Sequence, residues 1–275
     1  MARIDQHGAY AFLLYYLIWI IFFRTDSLII PSPLMFLVIL FGICPDFDGI
    51  YYAFKHRDQE KIDTQFQHHL HYWTHWPLTY VPLIPIFIVS LIFDFYPEYF
   101  LAPVVGIYLG HFLFDSISSG DGIMWGKIPW RKNQYARFIN FFPGNCDGYH
   151  GIYWAIRYQE TTFCRLGNAA VIASIGIIAS FQAIGIFLCL PHSLGLNGYY
   201  IVPLIFFFVR YRIHTVPRKY LRKSGPPKNR YADYRIDPHY INGLNARNRT
   251  KHFEKYRSLL NQNMSPLAWS SSKTI

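Results

Sequence analysis

Six apolar runs separated by short polar segments occupy most of the first 210 residues. The runs cover residues 9–23, 28–44, 78–93, 99–114, 169–190 and 199–209. A helix that crosses a bilayer needs about 20 predominantly apolar residues. The run 169–190 reaches this length alone, whereas the others need aromatic or polar flanks, and the run 199–209 could instead lie at the interface. The pattern predicts an all-α, polytopic membrane helix bundle with about six spans.

The positions of lysine and arginine predict the orientation of this bundle. With the N-terminus inside and six spans, the outer segments are residues 24–27, 94–98 and 191–198, and they contain one of the 26 basic residues, Arg24. Basic residues concentrate in cytoplasmic loops, so both termini are expected inside. Residues 1–211 then form a membrane-embedded domain with inner loops 45–77 and 115–168, and residues 212–275 form a basic cytoplasmic tail.

Composition agrees with a membrane protein. Apolar residues make up 52% of the chain and charged residues 15%, against about 25% charged residues in soluble domains. A disordered chain and a disulfide-rich secreted scaffold are excluded. The net charge of +10 is concentrated toward the tail. We expect the tail to contact anionic lipid headgroups, and a protein or nucleic-acid partner of the tail is the alternative.

Polar side chains with metal-binding chemistry follow the second run and precede the third. Asp46 and Asp48 lie one residue apart, and their repulsion favours a bound cation, although Pro-Asp and Asp-Gly also suit a turn. Four histidines then fall within eight residues, at positions 68, 69, 71 and 75. If this segment is helical, His71 and His75 share one face, which is a geometry for a two-histidine metal site. An interfacial belt of histidines and aromatic residues is the alternative.

The end of the fourth run carries a second polar pair. His111 and Asp115 lie four residues apart, on one face of an otherwise apolar helix. Burial of both is costly unless they pair with each other or bind a metal. The segment that follows contains Ser118 and Ser119, which could approach an oxyanion or form an ordinary turn.

The predicted topology brings these residues to one membrane depth. The second and fourth runs end on the inner face and the third begins there, which places Asp46, Asp48, His75, His111 and Asp115 together. Histidine and carboxylate ligands with an open position are typical of a metal ion that activates water. The expected ion is divalent Zn, Mn or Mg.

The same motifs resemble a known family. Pro45-Asp46-x-Asp48, Thr74-His75 and Gly110-His111-x-x-x-Asp115 look like those of the LexA-binding, inner-membrane-associated metal-dependent hydrolases. The resemblance covers roughly residues 9–135 and implies metal dependence and a prokaryotic inner (plasma) membrane location, but no substrate. The family has a His-Arg pair shortly before the Thr-His. Here either His69 or His71 takes the role of that histidine, and His71 is our prediction.

These observations lead to three functional hypotheses. The first is an integral membrane metal-dependent hydrolase with its site at the cytoplasmic interface, acting on a phosphoester or lipid-like anionic substrate. The second is a non-catalytic membrane anchor or regulatory protein with a basic recruitment tail, and the third is a metal or proton transporter. For the hydrolase, Asp48 or Asp115 is the expected catalytic base. The expected metal ligands are Asp46, Asp48, His71, His75, His111 and Asp115, and the expected substrate contacts are Ser118, Ser119, Lys127 and Arg131.

Overall fold

The computed structural model describes residues 3–23, 28–56, 68–118, 122–131, 136–142, 158–159, 161–187 and 200–214. In this part of the chain the secondary structure is helical, with a single antiparallel bridge between Ile123 and Ile139 and no strands. Most of the predicted basic tail, residues 215–275, lies outside the described residues. The helices are α1 (Ile4–Ile18), α2 (Ser32–Ile43), α3 (Phe47–His56), α4 (His68–His71), α5 (Leu83–Ile92), α6 (Pro97–Val104), α7 (Phe114–Ile117), α8 (Thr162–Phe187) and α9 (Ile201–His214).

Several of these helices join through short irregular turns. A π-helical turn, Trp19–Phe23, extends α1, and a 3₁₀ turn, Cys44–Asp46, links α2 to α3. A π-helical segment of nine residues, Val105–Leu113, links α6 to α7. Among the described residues, four helices are long and apolar enough to cross a membrane: Ile4–Phe23, Ser32–Lys55, Pro97–Ile117 and Thr162–Ile184. The predicted helical architecture is confirmed for the described residues, and four of the predicted runs form helices of membrane-spanning length and composition.

The third and sixth predicted runs form shorter apolar helices, Pro77–Ile92 and Ile201–Tyr211. In the third run, a 3₁₀ turn over Pro77–Tyr80 precedes α5. Val81 and Pro82 separate this turn from α5, and a proline has no backbone N–H to donate within a helix. The third run is therefore not one continuous α-helix.

The core forms where α1 packs against α2, the π-helical segment and α8. Backbones approach closely there because small residues face one another. A Cβ atom added at Gly110 would lie 2.4 Å from the Cβ of Ala11, and one added at Gly42 would lie 2.6 Å from the same atom. These contacts fix the relative positions of α1 and the π-helical segment, which carry His7 and His111, and of α2, which leads directly into the turn that carries Asp46.

A network of hydrogen bonds connects the start of α1 to Asn168 in α8 and to Tyr158. The Arg3 guanidinium donates to the Asp5 carboxylate at 2.8 Å and to the Asn168 side-chain oxygen at 2.8 Å. The Tyr158 hydroxyl donates to the Gln6 side-chain oxygen, also at 2.8 Å. All these side chains except Asn168 are buried. The network aligns the first turn of α1, which carries His7.

Candidate metal centre

Four histidines and two aspartates converge at one end of the helix bundle. They come from α1, the 3₁₀ turn after α2, α4, the 3₁₀ turn Trp73–His75, the π-helical segment and α7. Five of the six side chains are buried, and the sixth, Asp46, keeps 14% of its side-chain surface exposed. The six residues are His7, Asp46, His69, His75, His111 and Asp115.

The ligating atoms approach to about the contact distance of nitrogen and oxygen. The Nε2 atoms of His75 and His111 are 3.2 Å apart, and Asp46 Oδ1 lies 3.4 Å from His75 Nε2. Asp115 Oδ1 lies 3.2 Å from His7 Nε2. The other oxygen of Asp115, Oδ2, lies 3.1 Å from His69 Nε2 and 3.4 Å from His111 Nε2.

The Nδ1 atoms fix the tautomers of three of these histidines. The Nδ1 of His7 lies 3.1 Å from the Gly110 carbonyl oxygen, and that of His111 lies 2.8 Å from the Gly42 carbonyl oxygen. The Nδ1 of His69 lies 2.7 Å from the carbonyl oxygen of Gly122. Because a carbonyl oxygen can only accept, each Nδ1 carries the hydrogen and donates it. In the neutral imidazoles, the Nε2 lone pair is therefore directed into the cluster, as in metal-ligating histidines.

His75 is oriented by a carboxylate instead of a carbonyl. Its Nδ1 donates to Asp48 Oδ2 at 2.7 Å, and the Thr74 hydroxyl donates to the same oxygen at 2.8 Å. Burial lowers the pKa of His75, but the carboxylates of Asp48 and Asp46 outweigh burial and raise the pKa to about 10. The two carboxylates therefore favour a positive charge at His75.

The spacing of the donor atoms fits a divalent transition metal. Metal–nitrogen bonds of about 2.0–2.1 Å at tetrahedral angles separate two ligand atoms by about 3.3 Å. The His75–His111 and His75–Asp46 separations of 3.2 and 3.4 Å lie close to this value. Two Nε2 atoms at this distance either share a proton in a hydrogen bond or face a common cation. These buried histidines and aspartates could therefore hold a metal ion.

The structure brings together most of the predicted ligands. Asp46, His75, His111 and Asp115 lie in the cluster, and Asp48 contacts it through His75. The side chain of His71 is exposed, and His69 occupies the position in the cluster that we assigned to His71.

His7 is a site residue that the sequence analysis did not identify. Its ring stacks on that of His111 with a centroid separation of 3.9 Å. The sequence feature that could have indicated it is the group of three polar residues, Asp5, Gln6 and His7, directly before the first apolar run.

The predicted substrate residues lie in different surroundings. Ser118 is buried, and Arg131 is exposed, whereas Ser119 lies outside the described residues. Lys127 keeps 7% of its surface exposed, and its Nζ lies 5.2 Å from the ring centroid of Trp76. Burial lowers the pKa of Lys127. This cation therefore packs against the residue that follows the metal-ligand candidate His75.

Comparison with known proteins gives no relative: no family model, curated protein or solved structure matches the chain.

Proposed function

We propose that the protein is an integral membrane metal-dependent hydrolase with its metal centre at the cytoplasmic interface of a prokaryotic inner membrane. The observation that carries this proposal is the set of four histidines whose Nε2 atoms face two aspartates in a buried cluster. The imidazole nitrogens of this donor set favour Zn over Mg, and the carboxylates also suit Mn. A metal ion held by these residues would supply Lewis-acid activation of water for hydrolysis. The resemblance to the inner-membrane-associated metal-dependent hydrolases supports the same chemistry.

The carboxylates have separable roles in this proposal. Asp48 orients His75, because its Oδ2 accepts hydrogen bonds from His75 and Thr74. Asp115 binds metal, because its two oxygens face three histidines. Asp46 has access to solvent, and we assign it, in place of Asp48 or Asp115, as the group that transfers protons.

In phosphoester hydrolysis the water oxygen bonds to phosphorus and the phosphorus–oxygen bond to the alcohol breaks. The alcohol oxygen keeps the electron pair and takes one proton of the water, and the phosphate keeps the other.

The surroundings of the centre support a lipid-like phosphoester as substrate. Lys127 provides a positive charge beside Trp76 for an anionic group. Ile50 and Phe54 lie one turn apart on α3, the helix that begins directly after Asp46, and they are 47% and 74% exposed. An acyl chain along this apolar face of α3 would place its headgroup next to Asp46, which is the exposed edge of the centre.

Hydrolysis assays on the purified protein test this proposal. The Mn- or Zn-loaded protein is given phosphatidylglycerol in vesicles and, in parallel, a water-soluble glycerol phosphodiester without acyl chains. We expect the parent to hydrolyse the lipid. His111→Ala should lower the rate of hydrolysis by more than about 100-fold, equivalent to about 2.7 kcal/mol of transition-state stabilisation, and His71→Ala should not lower it. His71 is the matched control because its side chain is exposed.

Two outcomes would contradict the proposal. Full activity of His111→Ala would exclude this cluster as the site. Metal uptake into sealed vesicles that depends on Asp115, without hydrolysis of either substrate, would identify a transporter instead.

A further inference from the structure

Helix α9 runs toward the end of the bundle that holds the metal centre. Just before this helix, the Tyr200 hydroxyl donates to the Ile30 carbonyl oxygen, which precedes α2, at 2.6 Å. Further along α9, the buried ring of Phe207 lies 3.5 Å from the position of a Cβ added at Gly8 of α1, where the last residue of α2 also packs. Helix α9 therefore runs in the same direction as α2, toward the turn that carries Asp46.

Arg210 is the charged residue that α9 brings to this end. It follows Phe207 by three residues, so it lies near the same face of the helix and about 4.5 Å further along the axis. The charged groups that act on its guanidinium agree with this position, since they are Asp5, Arg3 and Asp46. Asp46 is also the exposed edge of the metal centre. Arg210 therefore adds a positive charge near the edge of the centre that solvent reaches.

The guanidinium of Arg210 has a buried donor that the protein does not satisfy. Its Nε is buried and has no hydrogen-bond partner among the described residues, although most buried polar groups are paired. The carboxylate of Asp5 is engaged by Arg3 at 2.8 Å. Asp46 Oδ1 faces His75 Nε2 at 3.4 Å. Because the side chain of Arg210 as a whole is only partly buried, a ligand with acceptor oxygens can reach it.

We infer that Arg210 binds the phosphate group of the substrate beside Asp46 and gives the site its preference for phosphoesters. This role rests on the proposed function, since the phosphate belongs to the substrate of the same centre. A guanidinium donates two parallel N–H groups to phosphate oxygens, a geometry that an ammonium group cannot reproduce. The same chemistry recognises a phospholipid headgroup and a small soluble phosphate.

Binding of two phosphorus oxyanions by the purified, Mn-loaded and desalted full chain tests this role without turnover. The probes are inorganic phosphate and hexylphosphonate, which has a short alkyl chain and no phosphoester bond. In calorimetric titrations, Arg210→Gln should raise the Kd of both probes by about 10–100-fold, the size expected for hydrogen bonds to a charged group. Arg210→Lys keeps the charge but not the paired donors, and it should raise the Kd by less.

Arg165→Gln is the matched control. Arg165 is an exposed cation in the first turn of α8, where it donates to Thr162 of the same helix. Its replacement removes one positive charge, as Arg210→Gln does, and should leave both Kd values unchanged. Metal content and Tm should be the same in the parent and in all three variants, because Arg210 is assigned to the ligand and not to the fold.

The outcomes separate this role from the proposed function. Unchanged Kd values in Arg210→Gln, or equal losses in Arg165→Gln, would overturn the role of Arg210 and leave the hydrolase in place. Loss of metal or a lower Tm in both Arg210 variants would also overturn it, because the arginine would then support the structure. If Arg210→Gln does not fold, Arg210→Lys decides. Binding that depends on Arg210, without hydrolysis of any phosphoester, would support the anion site and overturn the hydrolase.

The two probes distinguish the sources of the phosphate group. Tighter binding of hexylphosphonate than of inorganic phosphate by the parent would support a lipid headgroup, because the alkyl chain then contributes to binding. Equal binding of the two probes would support a small soluble phosphate.

Discussion

Replacing Gly110 by alanine should separate α1 from the π-helical segment. The added Cβ would lie 2.4 Å from the Ala11 Cβ and 2.6 Å from the Ala11 Cα. Carbon atoms normally contact at about 3.5–4.0 Å, so the two helices must move apart by roughly 1 Å. The contact includes backbone atoms, which cannot rotate away as the end of a flexible side chain can.

The expected cost has two contributions. Overpacking of a tight contact costs about 1–3 kcal/mol. The Gly110 carbonyl also accepts a hydrogen bond from His7 Nδ1, and its loss costs about 1 kcal/mol more. The sum, about 2–4 kcal/mol, corresponds to a lowering of the Tm by about 4–16 °C at about 2–4 °C per kcal/mol. Metal affinity should fall as well, because His7 loses the contact that directs its Nε2.

Gly176→Ala is the matched control. Gly176 lies within α8, and a Cβ added there meets no atom within 4 Å. Alanine is favoured over glycine by about 1 kcal/mol in a helix interior, so the Tm of this variant should be unchanged or slightly higher. Both proteins are measured in the same detergent and at one scan rate, because unfolding of a membrane protein is often irreversible. Equal Tm values for Gly110→Ala and the parent, or equal losses in the two variants, would refute the close-packing argument.

Three further outcomes are expected. Asp48→Asn should weaken Mn²⁺ binding by about 10–100-fold in a titration, because it removes the carboxylate that orients His75; unchanged affinity would show that this hydrogen bond does not influence the metal. Tyr158→Phe should lower the free energy of unfolding by about 1 kcal/mol through loss of its hydrogen bond to Gln6. Its metal content should stay unchanged, and a loss of metal would show that this hydrogen bond also supports the metal centre. Saturation of the parent with Mn²⁺ at about 100 times its Kd should stabilise the fold by about 2.7 kcal/mol, and the same addition to His111→Ala should raise the Tm little; equal stabilisation of both would place the metal elsewhere.

The sequence predicted the long helices because their signal is local. A run of about 20 apolar residues can satisfy its backbone groups in a bilayer as a helix, and four such helices are present among the described residues. The number of spans was harder to predict. A 3₁₀ turn precedes α5 in the third run, and whether two shorter helices cross the membrane depends on tilt and neighbours.

The histidine assignments show where local periodicity stops being informative. A regular helix would have placed His71 and His75 on one face, but α4 ends at His71. Tyr72 is extended, with φ −107° and ψ 126°, and a 3₁₀ turn carries His75. The 3.6-residue period is lost at that point, and His69 is the residue that faces the cluster. His7 could not be paired with His111 from the sequence, because their contact joins positions 104 apart.

The π-helical segment makes the centre sensitive to the rotational phase of its helix. Each residue of an α-helix advances the side chains by about 100°, so deletion of one residue between Val105 and Gly110 would turn His111 and Asp115 together toward a different neighbour. The widened turns of Val105–Leu113 set the phase at which both side chains meet α1 and α2. Point substitutions on the exposed side of this helix are therefore compatible with the centre, whereas a one-residue change in length is not. In a set of homologous chains, the spacing between Pro97 and His111 should thus be more constant than the residues that fill it.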